Sequence, residues 1–222
     1  MSVNKVIILA AGQGFRHDGM NKVLIRHPKT GKTILDHAIE AFSGKKITVV
    51  VGYRAIQVME LYPQLDYVIN ADWALTNNAM SLGLALTDEP TYVVSGDMFF
   101  TKELITDLDC GDENLVLTEK RENRALSAVH CIVGENKQIN ETYQGPVRNI
   151  EHPEVIGMFK ISNPNILSEW KKLCIRHGNL FVGQVLPCQY DPIYDHNLGK
   201  HDFEEINTAA DYLRLIHKTV HV

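Results

Sequence analysis

Two kinds of hydrophobic pattern alternate along the first half of the chain. Continuous apolar runs, which are typical of strands buried on both faces of a sheet, occur at residues 6–10, 47–51, 67–69 and 92–94. Stretches with helical periodicity lie between them, at residues 34–42, 55–61 and 80–86. Strands that alternate with helices predict βαβ crossovers and a mostly parallel sheet.

The pattern changes from residue 114 onward. Strand-like segments joined by turns follow one another at residues 114–120, 126–134 and 154–162. Helices are predicted over about 164–176 and about 209–217. We therefore expect an α/β fold, a Rossmann-like single domain over residues 1–222 with a mostly parallel, partly mixed central sheet.

Composition and charge exclude several classes of protein. The 222 residues are 45% hydrophobic, enough for one sizeable core. The net charge of -5 shows no basic excess, so a nucleic-acid duplex is disfavoured as partner. No apolar run reaches the roughly 20 residues of a membrane span, and the N-terminus lacks a signal-peptide pattern. Four cysteines without zinc spacing suit reduced thiols. We expect a soluble, cytoplasmic protein.

A glycine-containing loop with two cations follows the first predicted strand. Gly12 and Gly14 allow backbone amides to approach an anion without a Cβ in the way. Arg16 and Lys22 add a planar fork and a point charge, both suited to phosphate oxygens. The loop therefore predicts a polyphosphate site, although a simple strand-to-helix turn with two solvated cations would give the same residues.

Two common phosphate-binding loops do not fit. The dinucleotide fingerprint GxGxxG requires glycine where His17 stands. The "GKT" at residues 31–33 resembles a P-loop, but the leading glycine would fall on Arg26 and no strand precedes it. Neither motif explains the segment.

The segment "LAAGQGFRHDGMNKVLI" resembles the signature of the GT-A-type nucleotidyltransferases, the MobA-like NTP transferases, which read LAAGxGxR and then PKxL near the N-terminus. Asn21 stands where proline is usual, as in some molybdenum-cofactor nucleotidyltransferases. The resemblance implies a GT-A-like fold. It also implies that Lys22 stabilises the charge of the α-phosphate and that Arg16 contacts the β- and γ-phosphates of a nucleoside triphosphate.

The same resemblance implies a metal site. Asp97 lies just beyond the buried strand at 92–94, and "FEEINTAADYL" is similar to the terminal EIDTPEDL or NINTPEDL motif, which places Asn207 at the second ligand position. One carboxylate and one amide oxygen suffice for Mg²⁺, which leaves its other positions to water and phosphate. Because an amide carries no charge, we expect Asn207→Asp to tighten the ion. Alternatively, each residue caps a helix.

The segment "TNNAMSLGLAL" resembles the NNxxSL form of phosphocholine and aminoethylphosphonate cytidylyltransferases, in which it lies over the base. The resemblance implies that Ser81 and the backbone of Ala10, Ala11 and Gly12 contact cytosine. Asn77 or Asn78 also suits a helix cap. The predicted nucleotide-binding residues are Leu9, Ala10, Ala11, Gly12, Gly14, Arg16, Lys22, Asn78, Ser81 and Asp97.

A second substrate is assigned to the later strands. Gly157 and Lys160 lie in "VIGMFKIS", and Trp73, Tyr190 and Tyr194 are candidate aromatic contacts. An aromatic cage with an acidic neighbour, Asp191 or Asp195, would hold a quaternary ammonium by cation–π attraction. The same aromatic residues would equally pack in the core.

Together, these features predict a Mg²⁺-dependent enzyme with catalytic residues Lys22, Arg16 and Asp97. We expect transfer of CMP from CTP to a small phosphorylated alcohol or phosphonate such as phosphocholine, with release of pyrophosphate. Residues 1–113 would bind the nucleotide and 114–222 the second substrate. Alternatives are a molybdenum-cofactor or sugar-phosphate nucleotidyltransferase, or an inactive nucleotide-binding regulatory domain. The sequence leaves an oligomer open.

Overall fold

The computed structural model describes residues 3–13, 19–111, 114–122 and 124–220. The strands in this part of the chain are β1 (Lys5–Ala10), β2 (Lys46–Val51), β3 (Asp66–Ile69), β4 (Thr91–Ser95), β5 (Met98–Phe100), β6 (Asn114–Glu119), β7 (Val129–Val133), β8 (Ile139–Gln144), β9 (Glu154–Ile161), β10 (Tyr194–Asn197) and β11 (Phe203–Glu205). The helices are α1 (Ile34–Ala41), α2 (Ala55–Leu61), α3 (Asn78–Ala85), α4 (Lys102–Cys110), α5 (Pro164–Arg176) and α6 (Ala209–Val220).

One central sheet organises the described residues. Its strand order is β10-β6-β9-β4-β1-β2-β3, and the hairpin of β7 and β8 joins it beside β9. Strands β4, β1, β2 and β3 are parallel, whereas β9 is antiparallel to both β4 and β6. Strands β5 and β11 form a separate antiparallel pair. The prediction of a mostly parallel, partly mixed sheet in one α/β domain is confirmed.

Helices cover both faces of the sheet because its central strands β1, β2 and β4 are buried on both sides. Residues of α1 and α4 are buried on one face, and residues of α3 and α5 on the other. Helix α1 begins at a capping box, in which Thr33 Oγ1 accepts from Asp36 N and Asp36 Oδ2 accepts from Thr33 N. This capping box explains why helix α1 begins at Ile34.

The four predicted strands of the first half and the predicted helices are all present, with bounds that differ by at most a few residues. The sequence analysis did not identify β5, β8, β10 and β11, which are short or carry many polar residues. Three cysteines, Cys131, Cys174 and Cys188, are buried, and burial raises the pKa of each thiol. Among the described residues, no helix is long and apolar enough to cross a membrane.

The carboxyl ends of the parallel strands meet along one edge of the sheet, where open α/β sheets bind ligands. Ala11 and Gly12 follow β1, Asn70 follows β3, and Asp97 lies beyond β4. Because β9 is antiparallel to β4, its N-terminal residues, including Gly157, lie at the same edge. The fold thus brings segments from both halves of the chain to one place.

Candidate active site

Two adjoining cavities open along this edge. The first, of about 290 Å³, lies over the ends of β1 and β4 and the start of α3. The second, of about 210 Å³, lies beside the N-terminal end of β9 and the segment 181–183. They share four lining residues, Asn78, Ser95, Asp97 and Phe181. A ligand in one cavity would therefore meet a ligand in the other beside Asp97.

Asn21 fixes the segment that carries Lys22. Its side chain is buried, and Nδ2 donates to Ala10 O and Tyr53 O at 3.1 Å each. Its Oδ1 accepts from Val23 N at 3.2 Å and caps a short 3₁₀ helix over Lys22–Leu24. The asparagine therefore ties the lysine to the ends of β1 and β2 through bonds that a proline could not make.

Lys22 connects the two predicted metal ligands. Its Nζ donates to Asp97 Oδ2 and to Asn207 Oδ1, each at 3.0 Å. The side chains of Lys22 and Asp97 are 24% and 20% exposed, so water screens this pair less than it screens a surface ion pair. The Lys22 ammonium, the Asp97 carboxylate and the Asn207 amide oxygen thus lie together where the two cavities meet.

Asn207 reaches Asp97 through the pairing of β5 and β11. Glu205 of β11 lies opposite Met98 of β5, and Ile206 N donates to Asp97 O at 2.8 Å. Asp211 Oδ2, at the start of α6, accepts from Asn207 N at 2.9 Å. At this helix start, Thr208 Oγ1 accepts from Asp211 N and Asp211 Oδ2 accepts from Thr208 N. The Asn207 side chain therefore takes no part in capping, and its Oδ1 contacts Lys22.

The residues at this position suit a Mg²⁺ ion. Asp97 Oδ1 is buried without a hydrogen-bond partner, which is costly unless a ligand contacts it. Asp97 Oδ2 and Asn207 Oδ1 already converge on the positive charge of Lys22. The described residues contain no group of three or more histidine, cysteine or acidic side chains that could hold a metal. The protein would thus supply few oxygen ligands, as Mg²⁺ sites that also use nucleotide phosphates do.

Polar side chains line the first cavity around Ser81. Asn70 Nδ2 donates to Ser81 Oγ and to Thr76 Oγ1, each at 3.1 Å, and Asn70 Oδ1 accepts from Asp72 N at 3.1 Å. Because a backbone N–H only donates, these bonds fix which way the Asn70 amide faces. The Ser81 hydroxyl thus accepts from Asn70, and its own proton is directed to another acceptor.

The two neighbouring asparagines have different roles. Asn77 Oδ1 accepts from Asn78 N at 2.8 Å, at the start of α3. Asn78 Oδ1 accepts from Val182 N at 2.9 Å and so connects α3 with the segment that lines the second cavity. Asn77 is the helix cap, and Asn78 sets the distance between the walls of the two cavities.

Carboxylates line the second cavity. Glu154 and Glu205 both lie there, and Arg121 bridges them, with Nη1 at 2.9 Å from Glu205 Oε2 and 3.6 Å from Glu154 Oε1. Burial raises the pKa of Glu154, while the positive charge of Arg121 opposes that shift. Burial by itself lowers the pKa of Arg121, but its contacts with Glu119, Glu205 and Glu154 raise it overall. The wall is therefore acidic and is held by the partly buried guanidinium of Arg121.

Gly157 is required where β9 passes the second cavity. Its φ is +70°, a conformation that side chains rarely adopt. A Cβ built there would also lie 2.5 Å from Ser95 Oγ. The glycine lets β9 approach the residue that both cavities share.

The structure places the predicted nucleotide-binding residues together where it describes them. Leu9, Ala10, Ala11, Gly12, Lys22, Asn78, Ser81 and Asp97 all line the first cavity. Gly14 and Arg16 lie outside the described residues. The binding role of the whole set stays a prediction.

The predicted second-substrate residues are not brought together. Gly157 lines the second cavity, but Trp73 lines the first, where its ring packs on Tyr53 at 5.1 Å. Tyr190 is 60% exposed, lines a separate cavity and donates to Glu169. Tyr194 lies on the edge strand β10, opposite Leu115. The aromatic cage expected from the sequence is therefore not assembled.

Lys160 has a structural role. It is buried opposite Tyr92, near the beginning of β4, and its Nζ donates to Leu108 O at 2.7 Å and Gly111 O at 3.2 Å. The site lies at the other end of β4. The assignment of Lys160 to the second substrate is not supported, because the antiparallel register carries it away from the site.

Sequence reasoning also missed several residues of the site. Asn70, Phe181, Glu154 and Glu205 line the cavities, and Arg121 holds the acidic wall. The position of Asn70 at the carboxyl end of a predicted strand, and of Glu205 two residues before Asn207, were signals that could have found them. Nothing local in the sequence marks Glu154, Phe181 or Arg121.

Solved structures with this fold are similar over almost the whole chain. CTP:phosphocholine cytidylyltransferase from Streptococcus pneumoniae (LicC) is 21% identical, with a TM-score of 0.79 over 98% of this chain and 99% of that one. The inositol-1-phosphate CTP transferase from T. maritima is 18% identical, with a TM-score of 0.73 over 98% and 96%. A putative glucose-1-phosphate thymidylyltransferase from Bacillus anthracis is 17% identical, with a TM-score of 0.77 over 98% and 96%.

These neighbours show the fold, and a family model assigns the chain. No curated protein sequence matches significantly. The model of the MobA-like NTP transferase domain matches residues 6–150, which include most of β1, Lys22 and Asp97. The prediction of a nucleotidyltransferase is confirmed at the level of the family: the chain belongs to the MobA-like NTP transferase domain family.

Proposed function

We propose that the protein is a Mg²⁺-dependent cytidylyltransferase. It transfers CMP from CTP to a small phosphorylated alcohol or phosphonate such as phosphocholine and releases pyrophosphate. The observation that carries the proposal is the meeting of two cavities at Asp97, with Lys22 and Asn207 beside it. A transferase needs such an arrangement, because the two substrates must be held in contact at one phosphorus atom.

The first cavity suits the nucleotide. Its walls are the backbone of 9–12 and the polar side chains of Asn70 and Ser81. The Ser81 hydroxyl, which accepts from Asn70, donates to the base, and cytosine offers acceptors at O2 and N3. The similarity to two CTP-using enzymes supports this choice of base. We assign nucleotide binding mainly to residues 1–113 and the second substrate to 114–222.

The second cavity suits a small phosphorylated alcohol with a positive charge. Glu154 and Glu205 give it a negative wall, and Phe181 and Val155 give it apolar surface. Such a wall attracts an ammonium group, whereas it repels a second anion. The phosphate end of the substrate would then point toward the Lys22 ammonium and toward the Mg²⁺ that Asp97 and Asn207 would hold.

In the reaction, a phosphate oxygen of the second substrate attacks the α-phosphorus of CTP in line with the leaving group. The new P–O bond forms as the bond from the α-phosphorus to the bridging oxygen breaks, and pyrophosphate leaves with that electron pair. The attacking phosphate is already ionised near neutral pH, so no side chain has to remove a proton. Lys22 stabilises the negative charge that develops on the α-phosphate oxygens.

Asp97 and Asn207 would hold Mg²⁺, which supplies further charge neutralisation to the phosphates when it is bound. The Lys22 ammonium is oriented by Asp97 and Asn207, and the Asn21 bonds hold the segment that carries it. Catalysis by these residues consists of positioning and electrostatic stabilisation. Arg16, which lies outside the described residues, is proposed to contact the β- and γ-phosphates.

The direct test measures pyrophosphate release. The purified protein is incubated with each of the four nucleoside triphosphates, Mg²⁺ and a panel that contains phosphocholine, phosphoethanolamine, aminoethylphosphonate, glycerol 3-phosphate and glucose 1-phosphate. We expect the highest kcat/KM with CTP and a cationic alcohol phosphate, and no turnover when EDTA is present.

A higher kcat/KM with GTP than with CTP, or with glucose 1-phosphate than with the cationic substrates, would contradict the proposed substrates. It would still be consistent with a nucleotidyltransferase. Absence of pyrophosphate release with every pair, despite measurable binding of a triphosphate, would contradict the enzyme and favour a nucleotide-binding regulatory domain.

A further inference from the structure

We propose that Ser95 is a further substrate-binding residue, whose hydroxyl donates a hydrogen bond to the attacking phosphate of the second substrate. Ser95 was not among the residues that the sequence predicted for the site. The inference rests on the proposed function and names a group that receives this phosphate beside Lys22.

Ser95 lies at the place where the two substrates have to meet. It is the last residue of β4, opposite Leu9 near the end of β1, and it lines both cavities. Lys22 and Asp97, which are proposed to act at the α-phosphate of the nucleotide, lie at the same boundary. A phosphate that attacks from the second cavity must therefore pass beside Ser95.

The Ser95 hydroxyl is available to a ligand. Ser95 is half-buried, and its oxygen is not among the buried polar atoms that lack a partner. Two other residues shared by the cavities are already engaged, since Asn78 Oδ1 accepts from Val182 N. Asp97 Oδ2 likewise accepts from Lys22 Nζ. Within the described ranges of the chain, Ser95 Oγ makes no such hydrogen bond to the protein.

The neighbouring strands hold this hydroxyl at the boundary. Strand β4 lies between β1 and β9, so both sides of its backbone are paired. On β9, Gly157 has a φ of +70°, and a Cβ there would lie 2.5 Å from Ser95 Oγ and 3.0 Å from Ser95 Cβ. A side chain at 157 would thus take the space of the hydroxyl. The glycine lets the strands pair closely while Ser95 keeps its place.

A phosphate that enters the second cavity needs a hydrogen-bond donor there. Glu154 and Glu205 repel an anion, and Lys22 is shared with the α-phosphate of the nucleotide. A serine hydroxyl supplies one O–H donor. Its bond to an ionised oxygen is roughly twice as strong as a bond between two neutral groups. Held by one oxygen, the phosphate keeps another oxygen free to attack, and the hydroxyl keeps its proton throughout.

The experiment compares Ser95→Ala with wild type for three ligands. Pyrophosphate release with Mg²⁺ and saturating CTP gives kcat and KM for phosphocholine, and calorimetry gives the Kd of CTP. Inhibition gives the Ki of choline, which keeps the cation and lacks the phosphate. Phosphoethanolamine and ethanolamine take their places if phosphoethanolamine is the faster substrate.

The control is Ser43→Ala, which removes a hydroxyl from the exposed turn between α1 and β2, at the opposite edge of the sheet. Melting temperatures show that each variant is folded.

We expect Ser95→Ala to lower kcat/KM for phosphocholine by about 10–100-fold, the scale of one hydrogen bond to a charged group. The Kd of CTP and the Ki of choline should stay within about threefold of wild type, less than the effect of one neutral hydrogen bond. Ser43→Ala should match wild type in all three measurements.

Three results would overturn the inference. An unchanged kcat/KM in Ser95→Ala would show that the hydroxyl does not contact the phosphate. An equal loss of CTP affinity would assign Ser95 to the nucleotide instead. A rise in the Ki of choline as large as the loss with phosphocholine would show that Ser95 acts through the shape of the cavity.

Failure of the proposed function looks different from all three. It would appear in wild type, as absence of pyrophosphate release with every substrate pair, and it would remove the attacking phosphate on which the role of Ser95 depends.

Discussion

The two cavities that meet at Asp97 are built in different ways. The first is formed mainly by short segments of the first half of the chain, 9–13, 21–22 and 70–81, and its walls are uncharged apart from Lys22 and the shared Asp97. The second combines segments 125–129, 154–157, 181–183 and 205–207, and besides the shared Asp97 it carries Glu154 and Glu205 next to the partly buried guanidinium of Arg121. Most of the first cavity comes from segments that lie close together in the sequence. The second cavity is assembled from segments that are far apart in the sequence and meet only in the folded protein.

This difference indicates that the two cavities bind different kinds of ligand. Backbone amides and small polar groups on the first side suit a ligand common to a whole family, the nucleotide. Charges gathered from distant segments on the second side suit a ligand that varies between relatives, and the names of the similar structures include phosphocholine, inositol-1-phosphate and glucose-1-phosphate. Variants on either side should therefore change different kinetic constants.

The largest effect is expected at the boundary that both cavities share. Lys22→Ala removes the ammonium that Asp97 and Asn207 orient, and we expect kcat to fall by at least about a hundredfold. Steady-state pyrophosphate release at saturating Mg²⁺ measures it. Lys172→Ala, a change of an exposed lysine on α5, is the control. A near wild-type kcat for Lys22→Ala would remove this residue from the catalytic machinery.

A change on the second side should affect the second substrate alone. Glu154→Gln keeps the shape of the side chain and removes a negative charge from the cavity wall. We expect KM for a cationic alcohol phosphate to rise about tenfold, a loss of about 1.4 kcal/mol in binding, with unchanged affinity for CTP. Kinetics with phosphocholine and calorimetry with CTP measure the two constants.

The pH dependence sharpens the same test. Because burial raises the pKa of Glu154, the carboxylate gains its proton at a higher pH than usual. KM for a cationic substrate should therefore rise as pH falls through that raised pKa, and Glu154→Gln should lose this rise. Glycerol 3-phosphate, which lacks the cation, serves as the control for titration of the substrate phosphate. An identical KM profile in both proteins would show that Glu154 does not contact the cation.

On the first side, a smaller effect is expected from Asn70→Ala. The change removes the donor that orients Ser81 Oγ at 3.1 Å, and we expect CTP to bind about 3–10-fold more weakly, the scale of one hydrogen bond. The preference for CTP over UTP should decrease, while KM for the second substrate stays the same. Calorimetry with both triphosphates measures it, with Asn165→Ala on the surface of α5 as control. Equal binding by Asn70→Ala and wild type would exclude the Ser81 network from base recognition.

The smallest kinetic effect is expected from Lys160→Met. The substitution removes the Lys160 donor from Gly111 O and one of the two donors from Leu108 O, which keeps its bond from Gly111 N, so the free energy of unfolding should fall by about 1–3 kcal/mol. Both KM values should stay within error, because Lys160 lies away from the cavities. Denaturant unfolding and steady-state kinetics measure the two outcomes. A large rise in the second-substrate KM without loss of stability would return Lys160 to the site.

The parallel part of the sheet was predictable from the sequence because its strands are buried on both faces. Strands β1, β2 and β4 appear as uninterrupted apolar runs, and the helices between them keep their own period. The short strands β5 and β11 escaped detection, since three residues give no usable periodicity. Yet their pairing is what brings Asn207 to Asp97.

The second cavity shows most clearly what could not be predicted from the sequence. Gly157 and Lys160 are three residues apart in the sequence and both were assigned to the substrate, but the register of β9 against β4 leaves one beside Ser95 and buries the other at the far end. Trp73, Tyr190 and Tyr194 likewise lie in three separate places. Residue type alone does not show which faces and which ends of the strands and helices come together in the fold.

The sequence by itself determined the family, the parallel sheet, the glycine loop with Lys22 and the two oxygen-bearing residues Asp97 and Asn207. These features depend on short stretches of sequence, in which the types of residue and their spacing are enough to indicate the structure and the chemistry. Only the tertiary structure decided which carboxylates form the second cavity. That choice depends on strand register and on the pairing of β5 with β11, which bring Glu154, Arg121 and Glu205 together from segments more than 30 residues apart.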